Sequence, residues 1–190
     1  MKLPEKVVST ACTYLQRFYI RNSCLEYDPQ GIVLTCLYVA AKVEDCYVSA
    51  EHIHTVGGIP EEVILKSELP LLQGLEFDLQ VHPVHKALDG LLAIQCDGGG
   101  QKDNNVALQA KENVKEFLLT DAIMLFTPGQ LALKASGEAA PDEDDGLAEI
   151  LSRIDRYMDA TKHTGDVKII DRKLKVFIKG HKKRKRREEE

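Results

Sequence analysis

Two charged residues stand out because of where they fall. Lys42 closes a segment otherwise built of apolar and small residues, Thr35-Cys-Leu-Tyr-Val-Ala-Ala-Lys-Val-Glu-Asp45. Glu68 lies in the next apolar stretch, with Leu69, Leu72, Leu75 and Phe77 behind it. A lysine and a glutamate on neighbouring helices, each among core-type residues, can pair with one another. They can also share their donors and acceptors with a partner chain. The plainer reading of Lys42 is an ammonium that snorkels to solvent from a helix end. Glu44 and Asp45 read as a solvated helix terminus.

Other reactive residues form no recognisable constellation. His52-Ile-His54 and His82-x-x-His85 could each offer metal ligands, but spacing supplies no third or fourth one, so no metal site is expected. Gly98-Gly99-Gly100 lacks the Lys and Ser/Thr that a phosphate-binding loop needs. No serine, cysteine or carboxylate stands in a nucleophile motif. The expectation is a non-catalytic protein without a cofactor. Cysteines occur at 12, 24, 36, 46 and 96; the count is odd and no pair has CxxC spacing. That pattern speaks against a disulfide framework or a zinc site and for a reducing compartment.

Charge is unevenly spread. Residues 172–190 hold ten Lys/Arg against three Glu, a net of +7, while the other 171 residues hold fifteen Lys/Arg against twenty-seven Asp/Glu, a net of -12. An acidic body is a poor candidate for wrapping nucleic acid, which needs clustered positive charge. The tail contains six consecutive basic residues, Lys182, Lys183, Arg184, Lys185, Arg186 and Arg187. Nuclear import is the leading reading of that run, with nucleic-acid contact and a plain solvated tail left open. The Glu188–Glu190 cap would weaken phosphate affinity locally. The 44% hydrophobic and 29% charged composition is that of an ordinary globular chain, and no apolar run approaches the length of a membrane span.

The elements that must position Lys42 and Glu68 are helical throughout. Leu3 to Ile20 carries Val7, Val8, Ala11, Cys12, Leu15, Phe18 and Tyr19 on an apolar stripe. Asp28-Pro29 supplies an N-cap and a first helical residue for the segment that ends at Glu44-Asp45. Its apolar residues, Ile32, Val33, Cys36, Leu37, Ala40 and Val43, recur at three- and four-residue steps. Ser49 caps a short helix, Gly57-Gly58 turns the chain, and Pro60-Glu61-Glu62 opens the helix of Glu68. Pro70 inside that helix predicts a kink or break near Glu68. Further helices are expected over His85–Gln95, Val106–Phe126, Gly129–Ala135 and Leu147–Ala160, with a flexible loop over 96–105 and an acidic loop over 137–146. Arg172–Lys185 could add another. The expected fold class is all-α.

Several segments together resemble a cyclin box: Val8-Ser-Thr-Ala-Cys-Thr-Tyr-Leu-Gln-Arg-Phe-Tyr19, then Leu34 to Asp45, then Glu68 followed by Leu75-Glu-Phe-Asp-Leu79. Thr120-Asp-Ala-Ile-Met-Leu-Phe-Thr-Pro-Gly-Gln-Leu-Ala-Leu133 is similar to the second half of the H branch of that family. The resemblance covers roughly residues 4–160. It implies tandem five-helix cyclin repeats, here a first repeat over 1–82, a second over 83–160 and a basic tail over 161–190. It further implies that Lys42 and Glu68 form the charged centre of a docking face for a cyclin-dependent kinase. The H branch implies the catalytic subunit of the CDK-activating kinase as partner, a RING-finger assembly factor as third subunit, membership of general transcription factor IIH, and the nucleus. Against the family pattern the first repeat lacks its first helix and the second is shortened between Ala135 and Leu147. The region around Val8, Cys12 and Leu15 is therefore expected to be partly uncovered.

Two other readings stay open at this level. One is a DNA-binding transcription factor of the IIB type, which uses the same helical repeat but calls for basic charge on the repeats themselves. The other is an inactive truncated fragment with exposed apolar surface.

Overall fold

The structure, a computed structural model, describes residues 3–97, 104–138, 145–161, 172–173 and 175–176. In chain order the helices are α1 (Glu5–Arg21), α2 (Pro29–Val43), α3 (Ala50–Gly57), α4 (Glu61–Gly74), α5 (Val84–Asp97), α6 (Asn104–Leu118), α7 (Ala122–Leu125), α8 (Pro128–Ser136) and α9 (Asp145–Thr161). No strand occurs among the described residues. The all-α expectation holds.

Local chemistry sets the starts of three helices. The Asp28 carboxylate accepts from the Gly31 amide at 3.4 Å, and Pro29 takes the first helical position. Ser49 accepts from the His52 amide at 3.1 Å, and Gly58, at φ 72°, closes α3 in the left-handed conformation that glycine adopts without penalty. At α8 the exchange is reciprocal: Gln130 N–H donates to Thr127 Oγ1 at 3.4 Å, and Thr127 N–H donates to Gln130 Oε1 at 3.0 Å. Each such cap satisfies a backbone donor that the helix leaves unpaired.

Two apolar cores form. The first joins α1, α2 and α4 through Val7, Tyr14, Phe18, Ile32, Cys36, Val39, Leu71 and Leu75. The second joins α5, α6, α8 and α9 through Leu88, Val114, Phe117, Leu131 and Ile154. Helix α1 ties the two together. Gln16 donates from Nε2 to the carbonyls of Leu118 (3.2 Å) and Thr120 (2.9 Å), and the Tyr14 hydroxyl donates to Leu79 O at 2.6 Å. The first bond crosses to the α6–α7 corner; the second fixes the connector that leaves α4.

The buried faces are rotated from those the apolar pattern predicts. On α1, Ser9, Thr10 and Thr13 are buried while Val8 is 39% exposed; Cys12 and Leu15 are half-buried. On α2, Thr35 is fully buried whereas Val33 and Val43 are exposed. Threonine can occupy core positions because its hydroxyl bonds within the fold: Thr35 donates to Gly31 O at 2.9 Å, Thr13 to Ser9 O at 3.0 Å, and Thr10 to Glu44 Oε1 at 2.7 Å. Leu69 and Phe77, expected behind Glu68, are exposed instead.

Three expected boundaries are corrected. Helix α4 runs unbroken through Pro70. The missing Pro70 N–H and the ring clash cost about 3 kcal/mol. Burial of Ile64 and Leu71 in α4 and of Leu75 at its C-cap returns roughly 1.5–3 kcal/mol each, which outweighs it. The single helix expected over Val106–Phe126 is broken after Leu118. Thr120 donates from Oγ1 to Phe117 O at 3.0 Å and accepts from the Ala122 amide at 3.3 Å, so its side chain takes over bonds that a continuous helix would make. The loop expected over 96–105 is narrower, because Asp97 belongs to α5 and Asn104–Asn105 to α6. Its residues 98–103, residues 139–144 of the acidic loop and Lys182–Arg187 lie outside the described residues.

Two substitutions in α4 test this packing. Pro70→Ala restores a backbone donor and should raise the unfolding free energy by about 1–3 kcal/mol. Gly74→Ala should lower it by about 1–3 kcal/mol, because a Cβ there would stand 2.6 Å from the Phe18 ring. Urea denaturation followed by circular dichroism reads both.

Candidate functional site

The two charges singled out by sequence meet. Lys42 Nζ donates to Glu68 Oε1 at 2.7 Å, bridging the last turn of α2 to the middle of α4. The side chains are 48% and 25% exposed, so the pair lies at the surface of the first core rather than inside it. The same ammonium sits 4.2 Å from the centre of the Tyr38 ring, one turn earlier on α2. Desolvation works against the charged ammonium, but the Glu68 hydrogen bond and the contact with Tyr38 outweigh it, and its pKa is raised above the ordinary lysine value. A raised folded-state value means that the stabilisation is fully present at neutral pH and fades only as pH rises through the lysine range.

Lys42 forms one wall of an open groove of about 670 Å³. Tyr38 and Ala41 continue that wall along α2, Glu61 and Leu65 of α4 face it, and the loop Asp45–Ser49 closes one end. Leu65 and Leu69, one helical turn apart, are 44% and 56% exposed, and Tyr47 is 96% exposed. The site is therefore a groove lined by Tyr38, Tyr47, Val48 and Leu65 together with Lys42, Asp45 and Glu61, and its Lys42 is paired with Glu68. It has the composition of a protein-docking surface, with aromatic and aliphatic side chains beside charged ones.

The end loop is held from behind. Asp45 adopts a positive φ of 53°, the Cys46 amide donates to Ala41 O at 2.8 Å, and Asp45 N–H donates to Lys42 O at 3.3 Å. This arrangement ends α2 as a Schellman turn does. Glu44 beneath it accepts from Thr10, and Lys6 of α1 donates to the Glu44 carbonyl. Sequence reasoning missed Tyr38 and Tyr47. No sequence signal set Tyr47 apart, since the run Glu44–Ser49 also holds Cys46 and Val48, which pack against the first core.

The remaining candidates do not assemble into chemistry. Among the described residues no group of three or more His, Cys, Asp or Glu side chains could hold a metal ion. His54 Nδ1 faces Ile59 O at 2.8 Å, within its own turn. Burial pushes the Cys36 thiol up to about 12, with Cys12 nearby adding to the shift, so it is an inert core thiol. No helix among the described residues is long and apolar enough to cross a membrane.

Residues 1–80 match the family described as Cyclin, N-terminal domain. Over that region the chain belongs to the cyclin family, and both H-type and C-type cyclins are among its relatives. It is 36% identical to Cyclin-H1-1 of Arabidopsis thaliana over 162 residues, covering 82% of this chain and 46% of that protein. It is 34% identical to Cyclin-H of Xenopus laevis over 191 residues, covering 93% of this chain and 57% of that protein. Among solved structures, a chain of the yeast TFIIK (Kin28/Ccl1/Tfb3) complex superposes with a TM-score of 0.64 at 30% identity, covering 93% of this chain and 77% of that one. The chain thus spans about half the length of the curated relatives it matches.

The half-exposed pair contributes little to folding. Lys42→Ala and Glu68→Gln should each change the unfolding free energy by less than about 1 kcal/mol, the range of surface ion pairs. Thermal melts of the two variants check this. A loss of binding in either is then a loss of contact and not of fold.

Proposed function

We propose that this chain is a regulatory, non-catalytic subunit that docks on a cyclin-dependent kinase through the groove between α2 and α4, with Lys42 and Glu68 as the charged centre of the contact. The observation that carries the reading is the 2.7 Å Lys42–Glu68 pair placed at an open groove lined by Tyr38, Tyr47, Val48 and Leu65. Lys42 has donors left for kinase backbone carbonyls, and Glu68 has a second oxygen free to accept. Neither charge is stranded when the partner covers the groove, because each already has the other. Truncating one would leave its partner buried without a counter-charge, at a cost of several kcal/mol.

Docking of this kind works by population shift. A groove that fits only one position of a mobile kinase helix favours that position in proportion to its differential affinity. The kinase we assign is the catalytic subunit of the CDK-activating kinase, with a RING-finger assembly factor as third subunit, working in general transcription factor IIH and in cell-cycle control. The similarity to H-type cyclins and to the yeast TFIIK complex supports that assignment. We further infer that 1–82 and 83–160 act as two cyclin repeats, in keeping with the two separate cores, and that Lys182–Arg187 direct the chain to the nucleus.

Titration calorimetry of the purified chain against the CDK-activating kinase catalytic subunit of its own organism tests the reading. Submicromolar binding is expected. Lys42→Ala should weaken it by about tenfold or more, roughly 1.4 kcal/mol or above. A cooperatively folded chain that fails to bind would overturn the proposal.

A further inference from the structure

We propose that Tyr47 is the aromatic anchor of the docking groove, and that the partner segment it engages carries an apolar stripe flanked by Lys or Arg. This rests on the docking function proposed above and names the chemistry of what the groove receives.

Tyr47 is 96% exposed and contributes nothing to the apolar core of its own fold. The turn that leads into it is nevertheless held. The loop is tied through Cys46 to α2, and Glu44 at its base is tied to Thr10 and Lys6 of α1. Asp45 accepts a left-handed conformation that disfavours side chains, a local cost that the surrounding turn over-determines. A large ring presented on a pre-ordered loop loses little entropy when a partner covers it, which is the property that makes tyrosine dominate docking surfaces. Leu65 on the facing helix supplies further exposed apolar surface across the groove.

Charge decides what kind of segment fits. Lys42 is matched by Glu68. Asp45 and Glu61, which also line the groove, have no cation within ion-pair distance among the described residues. The groove lining thus combines apolar side chains with charges that sum to net acidic. A segment with basic residues beside an apolar stripe satisfies both features. An acidic or uniformly polar segment satisfies neither, and a second copy would bring Asp45 and Glu61 against the same charges.

The test compares the full-length chain and four variants in titrations with the kinase catalytic subunit. Tyr47→Ala should weaken binding by about tenfold or more, while Tyr47→Phe keeps it within about twofold, because the ring and not the hydroxyl makes the contact. Asp45→Asn with Glu61→Gln should flatten the dependence of affinity on salt. Wild-type binding that Lys42→Ala weakens and Tyr47→Ala leaves unchanged would overturn the anchor while the docking function stands. Absence of wild-type binding would overturn both. Sedimentation equilibrium of the chain alone adds a further check. A dimer that Tyr47→Ala dissolves would assign the ring to a second copy and overturn the proposal.

Discussion

Helix α2 is covered on two sides, and the rest of the first core depends on that. Its neighbours α1 and α4 can close on it because, beside Ile32 and Val39, its buried residues are small or satisfied: Gly31, Thr35, Cys36, Ala40 and Ala41. Larger residues there would hold the helices apart. The Thr35 hydroxyl, bonded to Gly31 O, lets a polar side chain occupy the fully buried middle of the helix. With α2 enclosed, its last turn is the place where it emerges. Lys42 and Tyr38 lie on that emerging side, and α4 presents Glu68 opposite. The geometry of the groove is thus a consequence of how tightly its walls pack behind it.

The same packing explains why α4 tolerates Pro70. A proline in an isolated helix would break it. Here Ile64, Leu71 and Leu75 are held in the core or beneath α3 on both sides of the proline, so the helix cannot leave its track without exposing them. Gly74 reports the same constraint at the far end, where Phe18 occupies the space of a missing Cβ. The inter-core bonds from Gln16 to the α6–α7 corner tie the first core to the second. One helix, α1, therefore supplies a wall of the first core, the clamp on the connector and the link to the second core.

Much of this was legible in the residues. Asp28-Pro29 and Ser49 announced helix starts through chemistry that acts within four residues, and both caps form. Lys42 and Glu68 were legible as charges out of place. What sequence patterns did not carry were features decided by tertiary bonds. Threonines at 10, 13 and 35 read as polar yet are buried, because each hydroxyl finds a partner that the pattern does not display. Val8, Val33 and Val43 read as core yet are exposed, since the buried face is centred elsewhere. The break at Thr120 and the continuity at Pro70 are opposite errors with one origin: local propensity was overridden, in one case by a side-chain hydrogen bond and in the other by burial. Tyr47 was invisible because exposure of an aromatic residue depends on the three-dimensional course of a loop.

The central claim is that the trough between α2 and α4 is the face a kinase covers. Hydrogen–deuterium exchange of the chain with and without the CDK-activating kinase catalytic subunit tests it most directly. The account predicts new protection concentrated in Tyr38–Ala50 and Glu61–Gly74, with α5, α6 and α8 unchanged. Protection confined to the second core, with the trough exchanging as fast as in the free chain, would contradict it.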